Sequence, residues 1–154
     1  EQMRIADEIA STPGYAAEYG AAGGRYDPGL IARQAVDGTN AYRASKGLPP
    51  LRWSDGIAEI ASRHAEQMAR GEMPFSHDGF DQRVSAFPVL HRGAGENLAL
   101  NKGVAEVAKT AVDGWIKSPG HEKNLRGPFN LCGIGVARSS DGTFYLTQLF
   151  ANAM

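Results

Sequence analysis

Two of the chain's four histidines stand beside turn-forming residues, His77 in "FSHDGF" and His121 in "WIKSPGHEKN". An imidazole on a loop just past a helix is held by the helix while its ring faces solvent, which suits a metal ligand or a proton carrier. The same placement also suits a histidine that only bonds nearby backbone, and spacing alone leaves both readings open. Glu96, in "GAGENLAL", lies between glycines and an apolar run. A carboxylate at the edge of a core would either titrate high enough to act as a general base or bond backbone amides. His64 falls in an apolar helical stripe, where histidine is usually a satisfied core or cleft-wall residue rather than a ligand. His91, in "VLHRG", has no chemical context, and Cys132 in an apolar strand reads as a small buried hydrophobe.

Several familiar constellations fail on inspection. "HEKNL" opens like the zinc-protease H-E-x-x-H, but Leu125 stands where the second histidine is required, and no helix is expected there. Ser76-His77-Asp78 spells a triad in letters only, since triads are assembled from distant segments. There is no G-x-S-x-G elbow, phosphate loop or dinucleotide fingerprint.

The elements that must position these residues follow from periodicity. A helix is expected from near Pro28, where proline suits a first turn, to about Ser45 before "GLPP". Ser54 is a good N-cap, and Ile57, Ile60, Ala61, His64, Ala65 and Met68 share one helical face over residues 55 to 70. Residues 72 to 101 show no sustained period and are expected to be irregular, with short strands at most. Val104, Val107, Ala108, Ala111, Val112 and Trp115 define a third helix, which Ser118-Pro119-Gly120 ends. "LCGIGVARSSDGTFYLTQLF" predicts a hairpin around Ser-Ser-Asp-Gly. In its first strand Cys132, Ile134 and Val136 share one face; Gly133 and Gly135 lie on the other, so something is expected to pack close to the backbone there. Residues 1 to 10 are compatible with a short helix carrying Met3, Ile5 and Ile9, and residues 1 to 27 read as an extension with a flexible linker before a domain over 28 to 154. Helices followed by late strands, without β-α alternation, give an α+β class.

Composition narrows the partners. The chain has 154 residues, 42% of them hydrophobic, enough for one ordinary domain core. A formal net charge of -1 without a long basic run makes nucleic acid a poor partner. A single cysteine excludes an internal disulfide and fits either a reducing compartment or a secreted fold with a sufficient core. No apolar window approaches the roughly 18 residues of a membrane span, and no leader pattern opens the chain, so any signal peptide is expected to be already removed.

The ordered set "TNAYRASKGLPPLRW", "ASRHAEQMA", "FSH", "GENLA", "WIKSPGHEKN" and "CGIGVA" followed by "YLTQLF" resembles the CAP superfamily of cysteine-rich secretory, antigen 5 and pathogenesis-related 1 proteins, in its short bacterial SCP-domain form without disulfides. The resemblance spans residues 28 to 152. It implies a three-layer α-β-α sandwich, usually exported to the cell envelope or beyond, with a cleft that can hold a divalent cation. Carried over, His77 and His121 correspond to the cleft histidines and Glu96 to the glutamate of G-E-N, with Ser118, Asn97, Asn124 and His64 as secondary cleft positions. Asn40 and Arg43 match the family, whereas Thr39 stands where many members have histidine, and Ser118 where many have a second glutamate. With at most two or three protein ligands, weak and exchangeable Zn2+ binding is expected rather than a permanent site. Three functions follow from the resemblance. The preferred one is a non-enzymatic module whose cleft binds a ligand, such as a small apolar lipid or sterol or a cell-surface component. The others are a metal-assisted hydrolase with Glu96 as base and an interaction scaffold. Oligomeric state is not read from the sequence.

Overall fold

Asp27 opens the first helix: its Oδ1 accepts from Leu30 N–H at 3.1 Å, Pro28 follows at the first position, and α1 runs Pro28–Ser45. The computed structural model describes residues 26–154, so the short helix expected over residues 1 to 10, and the extension up to Gly24 and Arg25, lie outside the described residues. After β1 (Arg52–Trp53), Ser54 caps α2 (Asp55–Ala69) by accepting from Ile57 N–H at 3.2 Å. The buried residues of α2 are Ile57, Ile60, Ala61, His64, Ala65 and Met68, the stripe that the sequence predicts.

The segment expected to be irregular contains two ordered elements. Helix α3 covers Phe80–Ser85, and β2 covers His91–Asn101, the longest strand among the described residues. A register irregularity between His91 and Ala94 interrupts the pairing of β2 with β4 (Phe144–Ala153). Helix α4 runs Val107–Lys117, later than the apolar stripe begins, although Val104 is still buried in the core. Pro119 does not simply end it. Ser118, in extended conformation, separates α4 from a further short helix α5, Pro119–Leu125, in which proline occupies the first turn. The expectation of no helix at "HEKNL" is therefore corrected.

With β3 (Leu131–Arg138), the sheet has the order β1-β3-β4-β2, with β1 parallel to β3 and the other pairs antiparallel. Cys132, Ile134, Val136, Leu146 and Phe150 pack against α1 and α4, whereas Leu131, Leu149 and Ala151 pack against α2. These two cores make the three-layer α-β-α sandwich. Gly133 and Gly135 face α2 so closely that a Cβ there would lie 2.3 Å from Ala58 N and 2.2 Å from Ser62 N. Cys132 is fully buried, and burial pushes its thiol up to about 12, so it is inert at neutral pH.

Candidate functional site

Strand β2 lies at the sheet edge, and its alternation divides the candidate residues. Glu96 pairs with Leu149, on the α2 face, and Asn97 pairs with Gln148, on the α1 face. Two backbone acceptors of this edge are covered by side chains: Asn124 Nδ2 donates to Glu96 O at 3.2 Å and Trp115 Nε1 to Leu98 O at 2.9 Å.

On the α2 face, Glu96 is 4% exposed and is held by two donors. Arg83 Nε donates to its Oε2 at 2.7 Å and Arg83 Nη2 to its Oε1 at 2.8 Å. His77 Nδ1 lies 2.7 Å from the same Oε1. A carboxylate only accepts, so His77 donates Nδ1–H, and in the neutral ring the lone pair sits at Nε2. Arg83 comes from α3, and its Nη1 also donates to His64 Nδ1 at 3.2 Å and to Asp78 O at 2.8 Å. His64 Nε2 faces Ser76 O at 2.9 Å and must donate to it, which leaves Nδ1 as the acceptor that Arg83 requires. The tautomer of His64 is thus fixed from both sides.

This geometry sets the titration. Burial pushes the Glu96 carboxyl up, but hydrogen bonds from His77 and Arg83, with the charge of Arg83, outweigh it and hold the group below the usual carboxylate range. Neither of the two readings that the sequence left open for Glu96, a raised pKa or bonds to backbone amides, describes this geometry: its partners are His77, which the resemblance placed in the same cleft, and Arg83, which the sequence did not reveal. His64 is lowered mainly by burial, and the Arg83 charge lowers it further. Both groups favour the folded state in their deprotonated forms, so the stability from His64 is complete above about pH 6.5 and is lost as pH falls below it. Glu96 adds a further loss below the carboxylate range. Thermal unfolding followed from about pH 7.5 to about pH 5, an interval that brackets the ordinary histidine range, is expected to show a falling midpoint in the wild type and a shallower fall in His64→Gln. Equal slopes would remove His64 from this role.

His121 is 2% exposed and lies inside α5, which corrects the expectation of a loop histidine facing solvent. Its Nδ1 is 2.8 Å from Ser118 Oγ. Its backbone carbonyl accepts from Asn97 Nδ2 at 3.3 Å, and the same amide donates to Gln148 Oε1 at 3.1 Å. Gln148 Nε2 donates to Thr39 Oγ1 at 2.9 Å, so Thr39 serves as an acceptor between α1 and the sheet. Asn124 clasps the edge of β2, because its Nδ2 reaches both the backbone carbonyl of Glu96 and Asn97 Oδ1, the latter at 3.0 Å.

The hydrogen bonds thus tie the sequence candidates into two sets: His77, His64 and Glu96 through Arg83, and Asn97 with Asn124, the His121 backbone and, through the His121 ring, Ser118. Arg83 was missed. Its only sequence signal was its place in a segment without periodicity. Tested as a metal centre, the donors fit poorly: Glu96 is committed to Arg83 and His77, and among the described residues no group of three or more His, Cys, Asp or Glu is placed to hold a metal ion. His91 makes a local contact, donating from Nδ1 to Val89 O at 3.0 Å.

A separate concavity of 710 Å³ lies between α1 and α4. Ile31, Ala41, Val107, Ala108, Val112 and Ile116 contribute its apolar lining. A Cβ at Gly38 would meet the Val112 methyls at 3.4 Å, so this glycine keeps the helices close along the floor.

These features define a class: a three-layer α+β domain whose edge strand carries a buried Glu-Arg-His network and whose helical layer is grooved. The model of the cysteine-rich secretory protein (CAP) family matches residues 36–150, and the chain belongs to that family. It is 36% identical over 124 residues to the uncharacterized membrane protein YlbC of Bacillus subtilis, covering 77% of this chain and 33% of that protein. Pathogenesis-related protein 1C of Nicotiana tabacum is 29% identical over 102 residues, covering 64% of this chain and 52% of that protein. A crystal structure of an extracellular protein containing an SCP domain from Bacillus anthracis superposes with a TM-score of 0.67 at 30% identity, covering 81% of this chain and 41% of that one. The chain therefore spans well under two thirds of each of these proteins.

Proposed function

We propose that this CAP domain is a non-enzymatic binding module working outside the cytoplasm, and that its ligand is a single-chain lipid lying in the groove between α1 and α4. The groove carries the reading. Its volume lies within the range of small-molecule sites, and its lining is largely aliphatic. On α1 it extends from Ile31 to Ser45, about 21 Å of helix at the α-helical rise, which suits an extended acyl chain better than a compact head group. Polar groups stand along it: Lys109 and Asp113 pair at 2.8 Å, and Tyr42 Oη donates to Glu122 Oε2 at 2.5 Å. The extracytoplasmic setting is supported by the B. anthracis relative, described as extracellular. A hydrolase reading has less support, because Glu96 is held as an ionised anchor rather than poised to take a proton.

Ala41 is exposed in the groove, so Ala41→Trp fills it without disturbing the core. Delipidated wild type is expected to bind a fluorescent long-chain fatty acid saturably, and Ala41→Trp to bind it about tenfold more weakly or worse, a difference of about 1.4 kcal/mol. His77→Ala is expected to bind it as the wild type does. Failure of the delipidated wild type to bind the probe would overturn the reading, and competition by a sterol in place of the acyl probe would reassign the ligand.

A further inference from the structure

Arg83 makes a complete set of hydrogen bonds. A guanidinium has five N–H donors. Nε and one Nη2 hydrogen go to the two oxygens of Glu96, at 2.7 and 2.8 Å. The other Nη2 hydrogen goes to His77 O at 3.2 Å. Nη1 donates to Asp78 O at 2.8 Å and His64 Nδ1 at 3.2 Å. All five acceptors are therefore carboxylate, carbonyl or imidazole lone pairs, the types that otherwise surround a bound cation. They come from α2, β2 and the loop before α3, whereas the charge they surround belongs to the chain itself. The Arg83 side chain is 10% exposed and that of Glu96 1%, so the pair is largely withdrawn from water.

We propose that Arg83 is the resident cation of this site: its guanidinium occupies the place of a divalent ion, leaves the wild-type domain without a zinc site at His77 and Glu96, and masks a latent one. The inference does not rest on the groove between α1 and α4, which the opposite helical layer forms. It does reassign Glu96, which serves Arg83 as a counter-ion and orients His77 through Oε1. A free divalent ion would have to compete with a covalently tethered guanidinium that already satisfies those oxygens, and it would bring a second positive charge beside it.

The test is zinc titration by calorimetry on metal-stripped protein, with cobalt absorption as a second readout, comparing wild type, Arg83→Ala, Arg83→Lys and Arg83→Ala with Glu96→Gln. Wild type and Arg83→Lys are expected to show no saturable binding that depends on His77. Arg83→Ala is expected to gain one-site binding at least about tenfold tighter than wild type, and the double variant to lose that gain. Where Arg83→Ala is unfolded without metal, added zinc is expected to restore its far-ultraviolet circular dichroism. Saturable wild-type binding abolished by His77→Ala would overturn the proposal. So would an Arg83→Ala protein that is folded and gains no affinity, or one that is unfolded and that zinc does not restore.

Discussion

Gly135→Ala is expected to destabilise the domain by about 3 kcal/mol or more, lowering its thermal midpoint by about 6–12 °C. An added Cβ would lie 2.2 Å from Ser62 N, 2.3 Å from Ser62 Cα and 2.5 Å from Ala61 C. These atoms are the backbone of α2, which cannot turn aside as a side chain can. The helix must move off the sheet, and it carries Ile57, Ile60 and Ala61 into one core and His64 into the Arg83 network. The loss is therefore expected to reach the site as well as stability. Gly120→Ala is the control: it lies in α5 with nothing within 4 Å of its added Cβ, and it is expected to be neutral or slightly stabilising. Urea unfolding of both variants decides the matter. A Gly135→Ala protein within about 0.5 kcal/mol of wild type would show that α2 does not need that approach.

Arg43→Met is expected to cost about 3–5 kcal/mol, the range for breaking a buried charged network. Arg43 is 2% exposed and donates only to carbonyls: Nε to Pro49 O, Nη1 to Leu125 O and Gly127 O, each at 2.9 Å, and Nη2 to Phe129 O at 3.3 Å. Its methylenes explain little of the loss, since methionine keeps most of that volume. What disappears is the donor set, leaving several buried carbonyls without it. Three of those four carbonyls belong to the end of α5 and the chain entering β3, so the variant is also expected to loosen α5 and the His121–Ser118 contact it carries. Arg43→Lys retains the charge but not the planar fork, and is expected to recover only part of the loss. A chemical-denaturation difference below about 1 kcal/mol for Arg43→Met would sink the argument.

Both effects concern residues whose surroundings were unequally legible. Alternation in "CGIGVA" is local, and it announced that a bare backbone face awaited a close neighbour. It did not say that the neighbour was α2. Arg43 was legible only as a position matching the family, with no sign of its carbonyl partners more than eighty residues away. Strand β2 was missed because it begins with glycines and a register irregularity, and because neighbours on both faces make its run from Gly95 to Ala99 continuously buried rather than alternating. Helix α3 is too short for its period to be read, and α5 begins at a proline that also reads as a stop.

By itself the sequence determined α1, α2, the final hairpin, the burial of His64 and Cys132, and the membership of the chain in the CAP family through its ordered motifs. These depend on side-chain periodicity, caps and turns, whose physics acts over a few residues. Only the tertiary structure decided that Glu96 meets Arg83 as well as His77, that His121 is buried within α5, and that a groove opens between α1 and α4. The ionisation of Glu96 and the course of the groove depend on which charges and helices the chain path brings within a few ångströms, and that distance is set by packing across the sheet rather than by spacing along the chain.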